Sequence, residues 1–205
     1  MNRFIAIIFF ISISTPIYAA SLDELDPAIV NAAQQGDAAA QYYVGQELIG
    51  HFLVDEEMTE VSLEWLNKAH KQGHAEATAK IAIIYKSHGK KSVINPVKAL
   101  KYLHIAADRG ADRAPARLAE MYYLGKGTIQ DNVEAYAWIS VAIAISTNDK
   151  MTKRMRKGKE QIENAMNESE LNQAKSLARE HFTKFQEENQ KWRSSKLFKQ
   201  TAAYY

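Results

Sequence analysis

The sequence predicts an all-α fold: an α-solenoid of about three helix-turn-helix repeats with a C-terminal helical cap. Three observations carry that prediction. Glycines 36, 73 and 110 recur at a spacing of 37, with alanine four residues before each (Ala32, Ala69, Ala106) and four after (Ala40, Ala77, Ala114). The columns eight, nine and twelve residues after the glycine are also matched: Val44, Ile81 and Leu118; Gly45, Ala82 and Ala119; Leu48, Tyr85 and Tyr122. Prolines number four and glycines nine in 205 residues, and strand-type alternation is scarce, so the repeated unit is helical. One helix pair cannot bury its apolar face alone, and a period of this length therefore means neighbours stacked into a solenoid.

Residues 1–19 read as a signal peptide. Arg3 supplies a positive start, Phe4 to Ser14 is apolar or small, Pro16 ends the run, and Ile17-Tyr18-Ala19 offers a cleavage end. The run is shorter than the roughly 20 apolar residues of a membrane span. The expected location is therefore periplasmic or secreted. Asp26-Pro27 then starts a short helix, with proline in its first turn.

The repeat solenoid is expected over 20–146, with helix pairs at 37–49 and 58–71, 74–87 and 96–108, 111–123 and 132–146. Each glycine closes a helix by accepting the left-handed cap conformation, and the alanines let helices approach closely. Trp65 and Tyr102 keep the period, and Trp138 follows 36 residues later; all three read as packing between layers. After Ser146 the glycine column ends, and residues 147–193 are expected to cap the array. Met151, Met155, Gly158, Ile162 and Ala165 fall at helical spacing over 150–166. Asn167 with Glu170 is a capping-box start, and Leu171, Ala174, Ala178, Phe182 and Phe185 form one stripe on the helix that follows. Residues 194–205 carry no clear pattern and are expected to be a flexible tail.

The run Met121-Tyr122-Tyr123-Leu124-Gly125-Lys126-Gly127-Thr128-Ile129-Gln130-Asp131, followed by Val133-Glu134-Ala135 and Trp138, resembles the inter-helix loop and second-helix start of the Sel1-like repeat family. Gly73-His74-Ala75-Glu76-Ala77 resembles that family's glycine turn. The resemblance covers roughly residues 26 to 146 and points to the bacterial exported type. Tetratricopeptide repeats share the plan, but their period is about 34. The first repeat departs from the pattern, with Asp55-Glu56-Glu57 in place of the loop glycines; the second has Pro96 at its helix start and only Gly89 in its loop. The resemblance implies a scaffold or adaptor, including roles at bacterial envelopes and host contacts. It also implies a rival: a cell-wall-acting enzyme or accessory factor, in β-lactam hydrolysis or peptidoglycan metabolism.

The residues themselves encode no chemistry that supports the rival. Zero cysteine excludes disulfides, thiol catalysis and cysteine-ligated zinc. Gly125-Lys126-Gly127-Thr128 lacks the upstream glycine of a phosphate loop, and neither a Gly-x-Ser-x-Gly elbow nor a His-Glu-x-x-His pair is present. His70 and His74 are four apart but flank Gly73, so they read as surface or turn residues. Asp55, Glu56, Glu57 and Glu60 lack the glycine and alternation of a calcium loop. No catalytic, cofactor-binding or metal site is expected.

Charge is divided unevenly. Residues 20–149 carry 12 basic and 17 acidic side chains, residues 150–205 carry 13 and 7. Lys150, Lys153, Arg154, Arg156, Lys157 and Lys159 form a run without an acid. It reads as a solvated helix face or, functionally, as a peripheral contact with an anionic surface. Aromatics do not interleave with it, and no nucleic-acid role is expected.

The expected function is an exported adaptor that holds a protein or peptide partner, as a monomer. A helix turns about 100° per residue, so columns plus four, eight, nine and twelve fall opposite columns plus three, six, ten and thirteen. By analogy with tetratricopeptide solenoids, the second set lines the concave groove. Its partner-binding candidates are Tyr42, Gln46, Ile83, Lys86, Arg113, Glu120 and Tyr123, where aromatics beside arginine suit an interface.

Overall fold

The computed structural model describes residues 22, 25–51, 56–87 and 93–204. The signal-peptide segment 1–19, Asp55 of the acidic loop and Gly89 lie outside the described residues. Ten helices follow one another among the described residues: α1 (Pro27–Gln34), α2 (Ala38–His51), α3 (Glu56–Lys71), α4 (Ala75–Ser87), α5 (Pro96–Ala107), α6 (Ala114–Leu124), α7 (Asn132–Ile145), α8 (Asp149–Glu163), α9 (Glu168–Ser194) and α10 (Lys196–Ala202). α2 packs on α3, α4 on α5 and α6 on α7, and each pair stacks on the next through α3–α4 and α5–α6. The fold is the helical repeat solenoid that the glycine period predicts.

The repeated columns now have a physical account. At each inter-repeat turn the glycine adopts positive φ: 99° at Gly36, 89° at Gly73 and 76° at Gly110. That conformation aims the next residue's N–H back at the alanine four before the glycine. Asp37, His74 and Ala111 donate to the carbonyls of Ala32, Ala69 and Ala106 at 3.0, 3.2 and 2.9 Å, the six-to-one bond of a Schellman stop. The alanines four after the glycine are fully buried at helix crossings, as are Val44, Ile81 and Leu118. Gly45 marks the tightest approach of α2 to α3, since a Cβ there would lie 2.8 Å from Leu66 Cγ.

Starts are capped as firmly as stops. Asp26, Asn95, Asp131, Asn148 and Ser195 each accept a backbone N–H from the first turn of their helix. Asn167 and Glu170 complete the expected capping box at α9. Such caps are each worth about 1 kcal/mol.

The stripe on α9 seats Ala174 and Phe185 in the core, with Leu171, Ala178 and Phe182 half-buried. On α8 only Ile162 of the expected stripe is buried, and Met151 is half exposed. The end of the chain differs from expectation. Instead of a flexible tail over 194–205, the backbone breaks once at Ser195 and turns into α10, which lies against α2. Trp192 and Thr201 are buried there. These anchors obey no repeat register and sit among lysines and serines, so their pattern is not visible without the surface that receives them.

Candidate partner-binding face

The inter-repeat turns form a row, and the C-terminal chain runs back along it from the third repeat to the first. Asn189 Nδ2 donates to Gly110 O at 2.7 Å and to Asp112 Oδ1 at 2.8 Å. Arg193 pairs with Asp112 at 2.6 Å, and Lys184 with Asp108 at 2.6 Å. One turn further along, Trp192 packs against His74, ring centroids 5.1 Å apart. At the first turn Tyr204 lies beside Asp37; burial and that carboxylate together hold its phenol above the usual range. The acidic repeats are thus partly neutralised by the basic C-terminal chain.

His74, read from the sequence as a surface or turn residue, sits at the turn in the centre of this row and is fully buried there. Its ring stacks on Tyr42 at 4.5 Å. Nδ1 accepts the Ala77 N–H at 3.1 Å, capping α4, which leaves the proton on Nε2 to donate to Thr201 Oγ1 at 2.8 Å. Thr201 in turn donates to Leu197 O at 2.8 Å. Burial first, and the Arg109 cation second, push the His74 pKa down to about 3. The ring is therefore neutral at any physiological pH. His70, half-buried, is held through Arg109, whose Nη1 reaches His70 O at 3.0 Å and Thr78 Oγ1 at 2.7 Å.

The seven expected partner residues fall into three states. Tyr42 is buried under the stacked His74 ring, and its hydroxyl donates to Gln46 Oε1 at 2.7 Å. Ile83 is half-buried. Lys86 and Glu120 bind each other at 2.6 Å, with Arg117 at 3.4 Å from the same carboxylate oxygen. Burial alone would raise the Glu120 pKa; Lys86 and Arg117 outweigh it and hold the carboxyl below its ordinary value. Arg113 and Tyr123 remain exposed, Tyr123 beside an exposed Leu124. Arg113 faces Glu76, whose carboxyl burial raises and Arg113 opposes. The structure thus brings Tyr42 with Gln46 and Lys86 with Glu120, and leaves Arg113 and Tyr123 to solvent.

A second polar cluster surrounds Trp138. His181 stacks on its ring at 4.1 Å and meets Glu134 at 3.1 Å, while His104 meets the Tyr122 hydroxyl at 2.9 Å. The hydrogen bond from His181 is the main reason that the Glu134 carboxyl titrates below its ordinary range. The cluster ties α5, α6, α7 and α9 together. Among the described residues no group of three His, Asp or Glu side chains could hold a metal ion, and no helix is long and apolar enough to cross a membrane.

The cationic run on α8 is exposed. Lys150, Lys153, Arg154 and Lys157 lie at i, i+3, i+4 and i+7, one face of the helix, and none forms an ion pair among the described residues. Lys159 turns the other way, 4.5 Å from the Tyr136 ring centre.

Repeat geometry of this kind defines a class, and sequence comparison agrees with it. The Sel1 repeat profile matches residues 38–74, 75–110 and 114–144; the chain belongs to the Sel1 repeat family. Sel1 repeat arrays are generally protein-interaction scaffolds, and the fold is typically non-catalytic. Among solved structures the chain is similar to c5321, a protective antigen present in uropathogenic Escherichia coli strains and displaying an SLR fold. Identity is 28%, the TM-score is 0.65, and the match covers 82% of this chain and 35% of that one. The chain thus spans about a third of the antigen's length. It also shares its fold with a Sel1 repeat protein from Oxalobacter formigenes, at 23% identity and a TM-score of 0.50, over 63% of this chain and 96% of that one. No curated protein matches it in sequence.

Proposed function

We propose that this protein is an exported adaptor that holds a protein or peptide partner on the face marked by Arg113, Glu120 and Tyr123. The observation that carries the reading is the third repeat's exposed face, where Arg113 at the start of α6 and Tyr123 and Leu124 at its end stand open, with the internally paired Lys86–Glu120 one turn before that end. Aromatic and arginine anchors in such a setting favour partner contact, and the pairing of Lys86 with Glu120 fixes the rim without needing a ligand. Export rests on the signal-peptide pattern of residues 1–19. The cell-wall enzyme reading gains no support from the histidines, since His74 caps a helix and His104 and His181 are engaged in packing around Trp138. The test is a pull-down from envelope extract with an Arg113→Ala, Tyr123→Ala double variant whose circular dichroism matches wild type. Partner recovery should fall at least about tenfold, since two hot-spot truncations exceed about 1.4 kcal/mol. Full recovery would remove this face from consideration.

A second reading attaches to α8, because four cations share one solvent face and none of them is ion-paired among the described residues. Such a face suits peripheral docking to an anionic bilayer, and its attraction falls with salt. Sedimentation with vesicles rich in phosphatidylglycerol should retain the protein at low salt and release it near 0.5 M. Lys153→Glu, Arg154→Glu should abolish retention without lowering the melting temperature.

A further inference from the structure

The C-terminal chain is held very differently before and after Ser195. Up to Arg193 it is fixed by two ion pairs, by Asn189 on Gly110 and by buried Trp192. Beyond Ser195 no ion pair among the described residues holds it. Its anchors are Leu197, Phe198, Thr201 and Tyr204, of which only Thr201 is buried and the others are half-buried. They recur at i, i+1, i+4 and i+7, one face of a helix, while Lys196 and Lys199 stand exposed. A helix of seven residues is far too short to persist alone in water. α10 is therefore helical because it is docked, in the manner of an amphipathic segment laid on a receptor surface.

That surface is built from α2, the His74 turn and Trp192 of α9. Leu197 packs against the cluster that contains Tyr42, Leu66 and Ile81, and both Leu197 and Phe198 against the cluster that contains Ala79 and Trp192. Phe198 meets the Trp192 ring edge-on at 5.7 Å. The polar demand is specific: His74, locked as the Nε2–H tautomer by its bond to Ala77, presents a single buried donor. An occupant must bring a small acceptor to it, or the donor is left unsatisfied at a cost of about 1–3 kcal/mol.

We infer that this seat is a helix-binding site whose resident occupant is the chain's own residues 196–204, and that its external ligand is a partner's amphipathic helix. That helix would carry adjacent bulky apolar residues, with a hydroxyl or other small acceptor three residues after the second of them. A one-residue hinge at Ser195 keeps the resident segment beside the seat at high effective concentration, so it screens the seat against weak binders and yields to a helix that fits better. The inference deepens the adaptor reading but uses different residues, so loss of one does not remove the other.

The experiment uses the full-length chain. A Leu197→Glu, Phe198→Glu double variant should release the segment, leaving the seat empty. A fluorescein-labelled peptide of residues 194–204 should then bind the variant at least about tenfold more tightly than it binds wild type. The same peptide with both glutamates should bind neither. A variant with native helical signal that binds the peptide no better than wild type overturns the inference, whatever the pull-down with Arg113 and Tyr123 variants gives. So does collapse of the variant's whole helical signal, which would make α10 an integral part of the array. Amide hydrogen exchange in the wild type gives an independent reading: residues 197–203 should exchange about a hundredfold faster than residues 78–84 of α4. Equal protection would also overturn it.

Discussion

The first two repeats and the third carry the same columns to opposite ends. Six residues after the turn glycine stand Tyr42 and Ala79, both buried, and Ala116, exposed. Three after it stand Ala39, buried, Glu76, half-buried, and Arg113, exposed. Repeat position alone would make these equivalent. The difference comes from outside the period: α10 lies against α2 of the first repeat and reaches the second through Thr201 on His74. Exposure in a solenoid is thus decided by what crosses its face as much as by register, and a face can be closed over part of its length by the chain that made it.

The largest effect that can test this comparison falls on the glycine turns. All three have positive φ, so any alanine there costs about 1–2 kcal/mol of backbone strain. At Gly36 and Gly73 nothing lies within 4 Å of the added Cβ. At Gly110 the Cβ would stand 2.4 Å from Asn189 Cα and 2.5 Å from Asn189 N, backbone atoms that cannot swing aside. Gly110→Ala should therefore lose roughly 3 kcal/mol or more, against about 1–2 for Gly36→Ala. Urea unfolding midpoints measure both. Equal losses would mean that α9 does not seat on the third turn.

An intermediate effect belongs to His74 and to pH. A histidine with a folded-state pKa near 3, against 6.5 when unfolded, stays neutral in the fold while the unfolded chain takes up a proton. The stability it confers is complete above pH 6.5 and is lost as pH falls toward 3. At pH 5 the loss is about 2 kcal/mol, from 1.36 kcal/mol per unit over the 1.5 units below 6.5. His70 and His104 shift in the same direction, each mainly through burial, so the wild type alone does not isolate His74. His74→Asn keeps a neutral helix cap and removes the titration. Its melting temperature should decline less than that of wild type between pH 7 and 5. Parallel declines would place the acid sensitivity elsewhere.

Much of this architecture is legible in the sequence, for a reason that the turns make plain. The glycine period is a hydrogen-bonding requirement at the turns and a packing requirement at the alanines, so it writes itself into every repeat. Asn167 with Glu170 is equally local and equally readable. The candidate face was less so. Helical angles put Tyr42, Lys86 and Tyr123 opposite the packing columns, yet Tyr42 is buried all the same, and angles do not say that His74 will stack on Tyr42 or that Lys86 will find Glu120, 34 residues away. Least legible was α10. Its decisive contact joins Thr201 to His74 across 127 residues, and Leu197, Phe198 and Tyr204 gain meaning only from a surface assembled elsewhere.

The smallest effect probes the boundary between the closed and open parts. Lys86 leaves only 10% of its side chain exposed, whereas Glu120 leaves 37%. A pair so lopsided is part strut and part surface: the lysine stem packs, and the carboxylate keeps some water. Exposed pairs contribute about 0.2–1 kcal/mol, and burial on one side places this one toward the upper end. Lys86→Met preserves the stem and deletes the charge. It should cost about 0.5–1 kcal/mol, a fall of roughly 1–4 °C in melting temperature for a chain of this size. The Glu120 carboxyl should then titrate upward, because burial would be opposed by Arg117 alone. Side-chain carbon chemical shifts followed through a pH titration read that directly. An upward shift with little loss of stability would make the pair a surface contact, and the open face would extend back from the third repeat to Lys86. No shift at all would show that Lys86 does not hold Glu120, and the rim of the proposed partner site would have to be redrawn around Arg113 and Arg117.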